Sequence, residues 1–275
     1  MTIADNHSQF NIVASDLDGT LLAPNHKLSD FTKQTLKELH EKGLTFVFAT
    51  GRHHVDVAGI REQVGIPAYM VTSNGARVHD QNDQLMYSKN VPEHLIQPVI
   101  DLVKQDPDIM IHMYRNDEWL LNKEDEILKN FHDESGFSYT VFDVDNAPVD
   151  GIAKIFVTHP DHDHDYLVPY EDKLNELFGE ETNVAFSTPW CLEVMAAEVS
   201  KGEALDVVAK SINQSLNNCI AFGDGMNDVE MLSMAGLGLV MGTSHHKVMD
   251  ALPENPVIGS NADDAVAHYL KEHLI

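Results

Sequence analysis

Two aspartates two positions apart, Asp16 and Asp18, follow the short apolar run Ile12-Val13-Ala14. The run predicts a strand, and Asp16-Leu17-Asp18-Gly19-Thr20 stands just past its carboxyl end, where open α/β sheets bind ligands. Residues two apart on an extended chain share a face, so both carboxylates can reach one site. Gly19 lets the chain turn away sharply after them. Such a pair can hold a divalent cation while one carboxylate attacks phosphorus and the other moves protons. Paired acids are also common on solvated surfaces. The pair gains meaning only if the rest of the chain supplies phosphate-binding groups and further metal ligands.

Three more segments do so. The apolar stretch Leu44 to Ala49 reads as a buried strand and ends in Thr50-Gly51-Arg52. A hydroxyl, an approachable backbone N–H and a guanidinium then stand where a helix begins, which suits a phosphate. Alone, that segment is equally a glycine turn with a surface arginine. Cys219 to Phe222 reads as another strand, ending in Gly223-Asp224-Gly225-Met226-Asn227-Asp228. Asp224, Asn227 and Asp228 on a glycine-loosened loop match a hard-cation site. Lys201, in Ser200-Lys201-Gly202, precedes a helix. By itself it is an ordinary solvated lysine; beside these aspartates it would balance their charge and bind a phosphoryl oxygen as a point charge.

The electrostatic balance of the chain makes those cations necessary. Its 275 residues carry 44 acidic and 18 basic side chains, a formal charge of −26. Nucleic acid and anionic membrane need a basic face and are excluded as partners. An anionic small molecule needs local positive charge, which Arg52, Lys201 and a metal would supply. The expected partner is therefore a small phosphomonoester, met by a monomer or weak homodimer. With 43% hydrophobic and 23% charged residues the chain reads as a globular protein long enough for two domains. Its apolar runs fall short of the roughly 18 residues that suggest a membrane span. The polar start, Met1 to Gln9, lacks the features of a secretory leader, so a cytoplasmic location is expected. Cys191 and Cys219 are expected as free thiols. The run from His159 to Asp165, rich in His and Asp, reads as a polar turn and helix start, not a metal store. The pairs His53-His54 and His245-His246 are likewise not read as ligands.

Strand and helix signals alternate in the first third, predicting a doubly wound parallel sheet. Ser29 is a plausible N-cap for a helix closed by Gly43; a helix over 55–64 and a strand over 69–72 follow, then a hairpin around Asp80-Gln81-Asn82-Asp83. The stretch 83–188 differs. It predicts helices over 94–104, 124–132 and 166–178, with strands over 109–114, 118–121, 152–158 and 184–187, and none of its strand ends is acidic or glycine-rich. We read it as an inserted α+β domain, with 1–82 and 189–275 forming the α/β core. A helix over 202–211 and a terminal helix over 263–274 belong to that core.

The series Asp-x-Asp-Gly-Thr, Thr-Gly-Arg, Lys and Gly-Asp-x-x-Asn-Asp resembles the haloacid dehalogenase (HAD) superfamily. The insertion between the second and third segments resembles its Cof-type, C2B-capped (subfamily IIB) branch. The likeness covers nearly the whole chain and includes Ser73-Asn74-Gly75-Ala76 and Val199-Ser200-Lys201-Gly202. Around Ala49 to Val57 and Cys191 to Met195 it is similar to bacterial pyridoxal-phosphate and sugar-phosphate phosphatases. Ala197-Glu198 departs from the small residue and glycine often found there, which bears on the loop and not on the lysine. The segment before Phe10 is also longer than usual.

The resemblance implies a HAD-like doubly wound, Rossmann-like core with a C2B cap, and a magnesium-dependent phosphoric monoester hydrolase. It implies that Asp16 is the nucleophile and Asp18 the acid and base. Mg²⁺ would be held by Asp16, the Asp18 carbonyl and Asp224, with Asp228 ordering its waters. Leu17 (through its N–H), Thr50, Gly51, Lys201 and Asn227 would cradle the phosphoryl group. Arg52, Asn74, Tyr114, Arg115 and Trp119 are the candidates for substrate contact. A sugar phosphomutase and a catalytically silent phosphate-responsive regulator are the alternatives. The first would call for a more basic insertion, and the second for missing catalytic-type residues.

Overall fold

The computed structural model describes residues 9–130 and 136–275. The start of the chain, 1–8, on which the leader reading rests, lies outside the described residues, as does 131–135. In chain order the first elements are β1 (Ile12–Ser15), α1 (Asp30–Glu41), β2 (Thr45–Ala49), α2 (His54–Val64) and β3 (Ala68–Thr72), then a hairpin of β4 (Arg77–His79) and β5 (Leu85–Ser88). There follow α3 (Glu93–Val103), β6 (Met110–Arg115), β7 (Glu118–Leu121), β8 (Tyr139–Val141), β9 (Ile152–Thr158), α4 (His164–Phe178), β10 (Thr182–Thr188) and β11 (Cys191–Ala196). The chain ends with α5 (Lys201–Ser211), β12 (Cys219–Gly223), α6 (Val229–Met234), β13 (Leu237–Val240), α7 (His246–Ala251) and α8 (Ala265–His273).

Among the described residues the strands form two sheets. The first has the order β13-β12-β1-β2-β3-β4-β5, parallel from β13 to β3 and antiparallel beyond. Its strands alternate between two apolar faces, as a sheet covered on both sides requires. Val13, Phe46 and Phe48 pack with Leu36 and Leu39 of α1, Val57 and Val64 of α2, and Leu270 of α8. Ile12, Ala14, Val47 and Ala49 pack with Leu205 and Val208 of α5 and Leu232 of α6. The fold is thus the doubly wound α/β class expected. Ser29 caps α1, accepting the Thr32 N–H at 2.9 Å.

The second sheet, β10-β11-β9-β6-β7-β8, is antiparallel except at β7–β8. One face carries Ile111, Ile155, Val157, Leu192 and Val194 under α3 and α4. The other carries Tyr114, Trp119, Phe156 and Met195, packed with Ala76 and Val199. The expected limits 83 and 188 do not coincide with these sheets: β5 pairs in the first and β11 in the second. Alternating Leu192 and Val194 give β11 an apolar face that α3 and α4 cover, so the return to the first sheet comes after Ala196.

Over the described residues 124–130 the expected helix is not formed. Its described part holds one 3-10 turn, Leu128–Asn130, and its end, including His132, lies outside the described residues. The Asp125 carboxylate accepts the N–H groups of Ile127 and Leu128, and this local competition replaces the helical ladder. By contrast, the His/Asp-rich run is the expected turn and helix start. Asp163 caps α4 at the Tyr166 N–H, and His159 packs on the Tyr166 ring. Cys191 and Cys219 are free thiols. Among the described residues no helix is long and apolar enough to cross a membrane.

Candidate active site

Strands β12, β1, β2 and β3 lie side by side and parallel, so the loops after them open on one edge of the sheet. Asp16 follows β1 at the centre of that edge, and its N–H donates to the Phe222 carbonyl at 3.0 Å. Lys201 reaches the same point from the N-terminus of α5, which Ser200 caps at the Glu203 N–H. Its Nζ donates to Asp16 Oδ1 and to Asp228 Oδ1, each at 2.7 Å. The other oxygen of Asp228 accepts the N–H groups of Asp224 and Gly225 at 3.0 and 2.9 Å. Thr20 fixes Asp224, donating to Oδ1 at 2.6 Å. Gly19 has a φ of 81°, and a side chain there would collide with the Asp224 carboxylate.

Oxygens of Asp16, Asp224 and Asp228 all lie within 4.8 Å of one another. Three carboxylates face one ammonium here. Burial pushes the Asp16 carboxyl well above its ordinary range; Lys201 opposes this, and Asp228 and Asp224 add to it. Asp224 is pushed up to about 6 by burial and then by Asp228. Burial alone would lower Lys201, but Asp16 and Asp228 hold it above its usual value. A dry, oxygen-only donor set with surplus negative charge suits a hard divalent cation.

The Asp18 side chain turns elsewhere. Arg52 donates to both its oxygens, Nε and Nη2 each at 2.6 Å, while Nη1 donates to Asp56 at 2.8 Å. His26 Nδ1 sits 3.1 Å from Asp18 Oδ1. Burial would raise the Asp18 carboxyl, but Arg52 and His26 outweigh it and hold the group well below the carboxylate range. Leu17 is fully buried in the core, so only its backbone faces this edge.

Thr50 is buried after β2, and its hydroxyl accepts the Arg52 N–H at 3.2 Å. Asn74, after β3, has a φ of 56° and donates its backbone N–H to the Thr50 carbonyl at 3.0 Å. Its side-chain oxygen accepts from Asn227 Nδ2 at 3.0 Å. A side chain on Gly51 would come within 2.9 Å of that oxygen, so glycine leaves room for the amide. A cavity of about 420 Å³ opens beside this pair, lined also by Asn183, Met195, Met226 and Glu230.

The remaining candidates divide. Tyr114 is buried on the sheet face turned to this edge, its ring edge-on to His53 at 5.0 Å. Arg115 points away to Asp150 and Glu118. Trp119 is 3% exposed among His112, Phe137 and Tyr139, so it belongs to the core of the second sheet. Sequence reasoning missed Thr20, His26 and Asp56, which position Asp224, Asp18 and Arg52. It also missed Lys154 and Glu193, a buried pair joined at 2.7 Å. Two opposite charges interrupting the apolar strands Ile152–Thr158 and Cys191–Ala196 were the available signal.

A family model of haloacid dehalogenase-like hydrolases matches residues 13–270. The chain belongs to the haloacid dehalogenase-like hydrolases. A candidate phosphatase of Haemophilus influenzae is 42% identical over 263 residues, covering 95% of this chain and 96% of its own. A Cronobacter sakazakii protein named HMP-PP phosphatase is 36% identical over 262 residues, covering 95% and 94%. A solved HAD subclass IIB sugar phosphatase superposes with a TM-score of 0.79 at 20% identity, over 95% of this chain and 98% of that one. This HAD hydrolase is accordingly a phosphoric monoester hydrolase.

Proposed function

We propose that this HAD phosphatase hydrolyses small phosphomonoesters, pyridoxal phosphate and sugar phosphates among them, with Mg²⁺ bound and through a phosphoryl group carried on Asp16. The observation that supports it most is Lys201 bridging Asp16 and Asp228 beside Asp224, three carboxylates around one ammonium, a surplus of negative charge that a divalent cation would offset. A carboxylate relieved of bulk water by one fixed ammonium is a positioned nucleophile. An Asp16 oxygen attacks phosphorus, the ester P–O bond breaks, and the leaving alkoxide takes a proton from Asp18. Asp18 then takes a proton from the water that attacks the acyl phosphate, restoring Asp16 and releasing phosphate. Thr50, Gly51, Lys201, Asn227 and the Leu17 N–H surround the phosphoryl oxygens as they spread charge.

Mg²⁺, held by Asp16, Asp224 and the Asp18 carbonyl with Asp228 behind them, would neutralise charge on the phosphoryl group. Asp18 cannot give up a proton while Arg52 holds both its oxygens. Arg52 must therefore give up that contact, turning to the substrate or resting on Asp56 alone, before the alkoxide leaves. The methionine- and amide-lined cavity beside Asn74 suits a flat heteroaromatic leaving group, and its amides suit hydroxyls.

The test is kcat/KM on a panel of pyridoxal phosphate, hexose phosphates, HMP-PP and p-nitrophenyl phosphate, in Mg²⁺, in Ca²⁺ and after chelation. Turnover only in Mg²⁺, including pyridoxal phosphate or a hexose phosphate, supports the reading. Full turnover in Ca²⁺ or after exhaustive chelation contradicts the metal assignment. Failure on pyridoxal phosphate and every hexose phosphate contradicts the substrate assignment.

A further inference from the structure

One carboxamide joins the second sheet to three loops of the first. Asn74 sits against Gly51, receives Asn227 Nδ2 on its oxygen, and donates through its own Nδ2 to Glu193 Oε2, with Met195 Sδ at 3.4 Å. Glu193 arrives from β11, where its strand neighbours Leu192 and Val194 face the opposite way into the apolar layer. Its second oxygen is held three times over: by Lys154 Nζ at 2.7 Å, Ser187 Oγ at 3.0 Å and Cys191 Sγ at 3.7 Å. Lys154 in turn lies over the rings of Phe156 and Tyr114, 4.5 and 4.9 Å from their centroids. Both charges are at most 3% exposed.

A buried ion pair is costly to desolvate and adds little stability over an apolar pair of the same size. Its virtue is direction. Three donors on Oε1 leave Oε2 aimed one way, at an amide whose other end touches a catalytic loop. The amide can present nitrogen or oxygen to Asn227, and the carboxylate decides which: it accepts only, so Asn74 must turn Nδ2 to Glu193 and its oxygen to Asn227. That choice orients the Asn227 amide.

We propose that Glu193 and Lys154 are positioning residues that set the Asn74 amide and, through it, the phosphoryl-binding amide of Asn227, so that the catalytic loop is completed only when the second sheet rests on the first. The proposal rests on the reading of Asn227 as a phosphoryl ligand given above. Neither Glu193 nor Lys154 touches the reacting atoms; both act through Asn74.

The experiment compares Glu193→Gln, the neutral pair Glu193→Gln/Lys154→Met, Asn74→Ala and the combined variants on p-nitrophenyl phosphate and one hexose phosphate, alongside NMR of the Asn74 and Asn227 side-chain amides. Glutamine can donate as well as accept, so it frees the amide to flip without emptying the site. The expected result is a fall in kcat of about tenfold or more on both substrates, with KM within about threefold. Asn227 amide resonances shift in both Glu193 variants, and Glu193→Gln costs little more once Asn74 is alanine. The neutral pair separates this from a folding defect, since it leaves no buried unpaired ammonium. Unchanged kcat with unmoved Asn227 resonances overturns the proposal and makes the pair structural. A rise in KM confined to the hexose phosphate also overturns it, placing Glu193 on the leaving group. If the wild type hydrolyses neither substrate, the phosphatase reading fails, and the amide resonances alone still decide the relay.

Discussion

Trp119 and Tyr114 lie on one face of the second sheet, both buried, and differ in what surrounds them. Trp119 Nε1 donates to His112 Nδ1 at 3.2 Å inside an aromatic core, whereas Tyr114 sits beside His53 at the edge of the site. Trp119→Leu should cost about 2–4 kcal/mol of stability by cavity formation and lower all substrates alike. Tyr114→Phe should leave the melting temperature nearly unchanged and alter the ratio of pyridoxal phosphate to hexose phosphate turnover. Equal ratios in both variants would remove Tyr114 from the substrate site. The same tryptophan fixes His112 as a neutral ring, with the proton on Nε2 toward Thr158 Oγ1 at 3.0 Å. Burial, then Lys154, pushes His112 down to about 3 from 6.5. Below pH 6.5 the unfolded chain binds a proton that the fold refuses, so this stability is whole above 6.5 and is lost as pH falls toward 3. At about pH 5 the loss is roughly 2 kcal/mol, and His112→Gln should flatten the urea-derived stability difference between about pH 7 and 5 by that amount. An unchanged pH slope would contradict it. The acids and the lysine of the site were legible because phosphoryl chemistry restricts their types and strand ends restrict their places. Trp119 was not, because an aromatic in a strand reads the same in a core as in a pocket.

At the scale of elements, the loop before α5 shows a sequence departure absorbed by backbone. Glu198, where glycine is often found, takes a φ of 63°, and Lys201 still reaches Asp16. The left-handed region costs an ordinary residue about 1–2 kcal/mol, offset by about 1 that glycine loses in entropy. Glu198→Gly should therefore stabilise by up to about 1 kcal/mol and leave kcat unaltered, despite loss of the exposed Lys89 contact. A lower melting temperature would show that contact to outweigh the backbone. Elements of the first sheet were readable from alternation and caps such as Ser29. The segment after Glu124 was not, because the Asp125 side chain competes with the helix for its N–H groups. The edge of the second sheet was misplaced because Cys191–Ala196 resembles any buried strand until its neighbours in space are known.

For the whole molecule, a formal charge of −26 surrounds a site that must admit a dianion. In the proposed reading local cations would hold the phosphoryl group, but the approach is through a repulsive field. Raising ionic strength from about 10 to 150 mM at saturating Mg²⁺ should increase kcat/KM by about two- to threefold by screening that repulsion. A fall would show that Arg52 and Lys201 dominate the approach. Charge was readable at once from composition; where the second sheet touches the first was not, because the Glu193–Asn74 contact spans 119 positions. The central claim is that Asp16 carries the phosphoryl group, and trapping tests it most directly. Asp18→Asn, mixed with p-nitrophenyl phosphate and Mg²⁺ and quenched in acid, should carry one base-labile phosphoryl group on the peptide containing Asp16, absent when Asp16 is also asparagine. Sustained turnover by Asp16→Asn, with no labelled peptide in Asp18→Asn, would contradict the account and assign the attack to water.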